Sequence, residues 1–147
     1  MVTVKVEGER EIRVYLDKIQ DGMEPALRRA VQLSLARLKS TIVRDKLSGQ
    51  VLQRRSGALA GSIFTRLIGG GDIGGMVGTN KIYAAIHEFG GIIRAKRADF
   101  LKFQIDGSWV QVKQVRMPAR PYMQPAFHEN ISRIEQIFAR EIEKVIK

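Results

Sequence analysis

The feature that most constrains the fold is an apolar stripe drawn at helical spacing through the first third of the chain. Met23, Leu27, Ala30, Val31, Leu35, Leu38 and Ile42 recur three or four residues apart. At 3.6 residues per turn they share one face, while Arg28, Arg29, Arg37, Lys39, Arg44 and Lys46 take the other. Asp21-Gly22 ahead of the stripe reads as a break, with Asp21 as a cap. Pro25 then falls in the first turn, where its missing N–H costs nothing. Ser48-Gly49 reads as the stop. A basic amphipathic helix of about six or seven turns must bury its apolar side against a second layer.

That layer is readable downstream. Residues 62–68 alternate like a strand, with Ile63, Thr65 and Leu67 on one side and Phe64, Arg66 and Ile68 on the other. GGGDIGG at residues 69–75 reads as a hairpin connection, and strand character resumes over residues 76–78. Residues 81–89 read as a short helix with Ile82, Ala85, Ile86 and Phe89 on its apolar side, stopped by Gly90-Gly91. Residues 92–99 are basic and turn-like. Residues 100–105 and 109–115 alternate on either side of Asp106-Gly107, a hairpin signal, and Phe100 and Phe103 are candidate core residues. Met117-Pro118-Ala119-Arg120-Pro121 cannot be regular structure with two prolines so spaced. A second long helix starts near Pro125, with Phe127, Ile131, Ile134, Phe138, Ile142 and Val145 as its apolar stripe and mixed charges opposite.

At the other end, Val2, Val4 and Val6 alternate as a strand, Glu7-Gly8-Glu9 reads as a turn, and Ile12, Tyr15, Leu16 and Ile19 recur at helical spacing. The sum is an α+β fold: an antiparallel β-sheet packed with a long helix in the N-terminal half and a long C-terminal helix. Length suits a single domain over residues 1–147, with flexible loops at about 69–75 and 92–99.

Charge is the strongest bulk signal. Lys and Arg number 25 against 15 Asp and Glu, a formal net of +10. The excess lies in two zones: residues 28–55 hold eight bases and one acid, and residues 94–120 hold seven bases and two acids. A positive face of this kind favours polyanionic surroundings, whether nucleic acid, anionic membrane or an acidic partner. A solvated helix face and a charged loop would give the same pattern. The chain has no cysteine, which excludes disulfides and thiolate metal sites and fits a reducing host cytoplasm. No signal peptide and no apolar run of spanning length is visible, so no membrane role is expected.

The residues that could carry chemistry lack the partners each reaction needs. His87-Glu88 on a helix invites a zinc-hydrolase reading, but that motif requires a second His four residues on, and position 91 is Gly91. His128 is the only other histidine, so His87 reads as a packing or hydrogen-bonding residue at a helix end. The glycine-rich loop lacks the Gly-Lys-Ser/Thr of a phosphate cradle. No metal, no cofactor and no catalytic residue is expected, and the chain is not expected to be an enzyme. The basic zones carry few aromatics, so contact with DNA would be backbone electrostatics rather than base reading.

Three strings in order carry a resemblance: RRSGALAGSI at residues 54–63, YAAIHEFGG at 83–91 and MPARPYMQPAF at 117–127. Together they resemble the phage neck and tail-completion family, the small tail-component proteins of long-tailed phages that include the minor tail protein Z of phage lambda. The resemblance spans most of the chain from about Met23. It implies an α+β subunit of the virion, made in the host cytoplasm, that joins head to tail or completes the tail at the neck. It also implies a homo-oligomeric ring around the DNA channel, with other neck, connector and tail proteins as partners, and no catalytic residues. The matching positions are Gly57, Leu59, Ser62, Tyr83, Ala84, His87, Glu88, Phe89, Gly90, Pro118, Ala119, Arg120 and Pro121. Gly90 is expected to take a positive φ, Pro118 and Pro121 to stiffen an extended arm, and Arg120 to pair a carboxylate such as Glu88. Arg54, Arg55, Arg94, Lys96 and Arg97 are the candidate assembly or DNA-facing residues. Two other readings stay open: a tail-terminator or head-closure subunit, and a free basic nucleic-acid-binding protein.

Overall fold

The computed structural model describes residues 9–52, 56–70 and 72–147. The strand expected at Val2 to Val6 lies outside the described residues, as do Arg54 and Arg55. Helix α1 spans Glu9–Ser40 and runs on as a π-helical stretch, Thr41–Gln50. Then follow α2 (Ala58–Gly61), β1 (Ile63–Ile68), β2 (Gly74–Thr79), α3 (Ala84–Phe89), β3 (Gly91–Arg94), β4 (Leu101–Ile105), β5 (Ser108–Val112), β6 (Gln114–Met117) and α4 (Met123–Ile146). The order is α+β, as expected. Among the described residues the strands form three two-stranded ladders, β1–β2, β3–β6 and β4–β5, in place of one sheet.

The break expected at Asp21-Gly22 is absent: α1 passes through it and holds Pro25 in its interior. Gly22 has a packing reason. A Cβ there would lie 2.7 Å from Val145 Cγ1 of α4, so only glycine lets the two helices approach. Glycine costs a helix about 1 kcal/mol and interior proline about 3 kcal/mol. Burial of Ala26, Ala30, Val31, Leu35 and Leu38 along the stripe outweighs both. The expected stop does occur, where Ser48 (φ −121°, ψ 29°) and Gly49 (φ 125°) leave helical geometry.

The chain divides into two compact units, each built from separated stretches. Unit 1 comprises Met1–Lys39, Phe64–Val77 and Glu129–Lys147. In it α1 and α4 are tied by polar contacts as well as by packing. Arg37 Nε donates to Asn130 Oδ1 at 2.9 Å, Arg29 pairs with the buried Glu141 at 3.5 Å, and Tyr15 Oη donates to the Ile146 carbonyl at 2.6 Å. Ala126, Asn130 and Glu141 of α4 are buried, and Ile134, Phe138, Ile142 and Val145 of the expected stripe are half-buried on the same side. The first two residues of that stripe, Phe127 and Ile131, point to solvent, at 51% and 37% exposure. Apolar spacing alone could not find the buried polar groups of this face, which α1 satisfies.

Unit 2 comprises Ser40–Ile63 and Gly78–His128. Segment 92–99 is not wholly a loop. Its first residues form β3, antiparallel to β6 in the register Ile93↔Val115 and Arg94↔Gln114. Alternation over 109–115 splits at Lys113 into β5 and β6. The Asp106-Gly107 hairpin is as expected: Ile105 pairs with Ser108, and the two turn residues have φ of 48° and 83°, the left-handed pair that a type I′ turn needs.

Candidate functional site: a carboxylate lock and a basic cleft in unit 2

The two best strings of the resemblance, residues 83–91 and 117–127, form one structure. Helix α3 is six residues long and ends at Gly90, whose N–H donates to the Ile86 carbonyl. Gly90 has φ 69° and ψ −173°, a conformation nearly restricted to glycine. A Cβ there would stand 2.7 Å from the Ala119 nitrogen and 3.0 Å from the Met117 oxygen. The expected positive φ is present, and a close backbone approach adds to the requirement. The chain then enters β3, and its pairing with β6 returns residues 117–121 alongside α3. There Arg120 N–H donates to the His87 carbonyl at 2.7 Å.

Glu88 completes the lock. Its Oε2 accepts from the backbone N–H of Tyr122 at 2.8 Å and of Met123 at 3.0 Å, and its Oε1 accepts from Gln124 N–H at 2.9 Å. These are amides at the start of α4, which the helix itself cannot satisfy. A negative charge there also meets the positive end of the helix dipole. The Glu88–Arg120 pair expected from sequence is therefore not formed. Both carboxylate oxygens are occupied by backbone donors, and the exposed Arg120 contributes its main chain to the lock. Next to this carboxylate sits Tyr122, 1% exposed. Burial first, then the charge of Glu88 and the nearby Tyr83, push its phenol up to about 12.

On the other side of α3 lies a cleft of about 680 Å³ within unit 2. Leu47, Leu52, Leu59 and Met117 supply apolar lining, and Tyr83, His87 and Arg120 supply polar groups. Among the described residues, no Asp or Glu lines it. Tyr83 and His87 meet edge-on, with ring centroids 6.2 Å apart. Gly57 (φ 73°) starts α2 on the cleft wall, and Ser62 Oγ bonds the Leu59 carbonyl at 2.7 Å and the Thr79 hydroxyl at 2.6 Å. Matched positions from all three strings thus either line this cleft or hold the lock beside it. Pro118 and Pro121 lie in the irregular link between β6 and α4. Among the described residues, no three His, Cys, Asp or Glu side chains gather where they could hold a metal ion.

The candidate basic residues Arg94, Lys96 and Arg97 are exposed at the end of β3 and in the bend after it. Arg94 Nε is held by Gln114 Oε1 on the paired strand at 3.2 Å. The division into units sharpens the charge pattern. The sequence of unit 2, counting Arg54 and Arg55, has twelve basic and four acidic residues, a net of +8, whereas unit 1 has thirteen and eleven, a net of +2. Sequence zones missed this because the stretches of each unit are not contiguous.

Several apolar residues assigned to the inside lie outside. Ile82 is 97% exposed, Phe89 77%, and Ala85 is exposed as well, so of the expected apolar side only Ile86 is half-buried; the residues of α3 that face inward are Ala84 and Glu88. Phe100 is exposed, and Trp109 on β5 is 65% exposed with the Lys102 ammonium 5.1 Å from its ring centroid. A helix of six residues has too little surface to bury four large side chains.

A family model for the phage virion morphogenesis family matches residues 29–143 of the chain. Searches of curated proteins and of solved structures returned no match. The matched region contains the lock, the cleft and, apart from Arg28, both basic zones.

Proposed function

The chain belongs to the phage virion morphogenesis family, and from that premise we propose that it is a structural subunit of the head–tail junction, acting in head–tail joining or tail completion. Its role in virion morphogenesis is the family's. The finer reading adds a ring of subunits around the DNA channel, contacts with connector and tail proteins, and no catalytic activity. The likeness to the minor tail protein Z of phage lambda rests on the three strings alone.

The observation that carries this reading is the net charge of +8 on unit 2 beside a near-neutral unit 1. A channel-lining surface must tolerate passing DNA of any sequence, and clustered Lys and Arg on short strands and bends supply phosphate contacts without base reading. Exposed apolar residues such as Ile82, Phe89 and Trp109 supply surface for subunit contacts. Replacing Arg94, Lys96 and Arg97 with Glu should abolish infectious particles or their DNA retention while the purified chain still folds. Normal titres from that variant would contradict the reading. A free nucleic-acid-binding protein is the rival that the same charge favours. It requires tight, salt-steep binding by the isolated chain, with the slope of log K against log salt reduced by roughly 3 in the triple variant. A tail-terminator or head-closure role differs only in position within the virion, and imaging of particles separates it.

A further inference from the structure

We propose that residues 91–117 form a β-ribbon arm whose exposed polar face binds the backbone of duplex nucleic acid. The inference rests on the reading of the chain as a subunit around DNA, and it names the element and the side chains that make the contact.

The arm follows from the nesting of two ladders. β3 pairs with β6, and β4 pairs with β5 between them, so the ladders are the stem and tip of one long hairpin closed by the Asp106-Gly107 turn. Residues 95–100 interrupt one strand, where Lys113 alone interrupts the other. That mismatch makes a bulged elbow, with Lys96, Arg97 and Lys113 exposed at it. Over its length the arm has six basic residues and two acids. The acids, Asp99 and Asp106, fall in the elbow and the turn, so no carboxylate stands on either face of the paired strands.

Register sorts the two faces. In the tip, Leu101 pairs with Val112 and Phe103 with Val110, and these four are half-buried. The alternate pairs, Lys102 with Gln111 and Gln104 with Trp109, are exposed throughout. Strand side chains alternate, so these four share the outer face. The Lys102 ammonium, 5.1 Å from the Trp109 ring centroid, is a contact along that face. In the stem, Arg94, Gln114 and Arg116 share one exposed face. Gln114 Oε1 accepts from Arg94 Nε at 3.2 Å, which steadies the guanidinium and, among the described residues, leaves its terminal fork for a phosphate.

The makeup of these faces decides the partner. The centre of a protein interface is apolar and depleted of lysine, whereas here ammonium, guanidinium and amide groups surround a single ring. Duplex nucleic acid offers phosphates along both strands, and its major groove, roughly 12 Å wide, admits a two-stranded ribbon. Of the exposed apolar residues open to subunit contacts, Trp109 is the one set among polar neighbours. One ring cannot stack successive bases, so a single strand suits the arm less well. An arm reaches few phosphates, so one chain binds weakly and at low salt, and several arms in a ring hold one duplex together. Tight binding by the isolated chain belongs to the rival reading.

Trp109 is the chain's one tryptophan, so its fluorescence reports on the tip. The purified chain is titrated with a short mixed-sequence duplex at about 50 mM salt and above, followed by tryptophan emission and by anisotropy of the labelled duplex. The expected result is weak binding that alters Trp109 emission and fades as salt rises. Lys102→Gln and Arg116→Gln should each reduce the slope of log K against log salt by about one, with circular dichroism unchanged. Lys18→Gln, exposed in unit 1, should leave the slope as it is. Binding with unaltered Trp109 emission, and with unaltered slopes in both arm variants, would overturn the inference. No binding at low salt would overturn it too. An equal response to polyglutamate would assign the face to an acidic protein instead, and a preference for the single strand would remove the duplex. In each of these cases the virion reading stands. Absence of the chain from purified particles is a separate result, and it alone counts against the reading beneath.

Discussion

At the scale of single residues, Glu88 has a structural task within the string His-Glu-Phe-Gly. The side chain that first suggests a metal-dependent hydrolase is spent on three backbone amides at the entry to α4. Hydrogen bonds to a charged group contribute roughly 1.5–3 kcal/mol each when one partner is lost, and they are not additive. Glu88→Gln is not conservative here, since its NH₂ group would face N–H donors. The variant should lose about 2 kcal/mol in urea denaturation, and Glu88→Ala more. A Gln variant as stable as the parent would mean the lock contributes nothing. Tyr122 gives a second residue-scale prediction. Its folded pKa of about 12 stands above the ordinary tyrosine value of 10.0, so between those values the folded state holds a proton that the unfolded chain has released. Stability is therefore full below pH 10 and falls as pH rises towards 12, by up to about 1.4 kcal/mol per pH unit. Tyr122→Phe should flatten that decline, as followed by melts between pH 9 and 11.

Among the elements, those written in local spacing were legible and those made by distant partners were not. The stripe from Met23 to Ile42 and the Asp106-Gly107 turn depend on neighbours within four residues, and both occur as read. The Glu88 lock joins residues 34 to 36 positions apart through main-chain donors, which have no signature in side-chain identity. The false break at Gly22 has the same origin: its reason is Val145, on the other long helix. The burial of Asn130 and Glu141 on α4 likewise follows from Arg37 and Arg29 on α1. At this scale the account predicts unequal protection within α1. Amide hydrogen exchange should be fast over residues 10–18 in the monomer and slow over residues 26–38, where the stripe is buried. Equal protection of both groups in the monomer would contradict this division of α1 into an exposed start and a buried middle.

For the whole molecule, the separation of charge organises the account. One unit is basic and carries the matched strings, the cleft and the lock; the other is near neutral and built on two long helices. The three two-stranded ladders leave strand edges that a closed sheet would have used, and edges of this kind are natural pairing sites for neighbouring subunits. Sequence could place the chain among phage assembly proteins because the order of three strings survives folding. It could not separate the units, because their stretches interleave along the chain. The central claim is that the chain is a structural part of the virion at the head–tail junction. Purified particles carrying an epitope on the chain, imaged by electron microscopy with gold-labelled antibody, test it most directly. The account predicts label at the neck of intact virions. Unlabelled particles from lysates that contain the chain in abundance would contradict it.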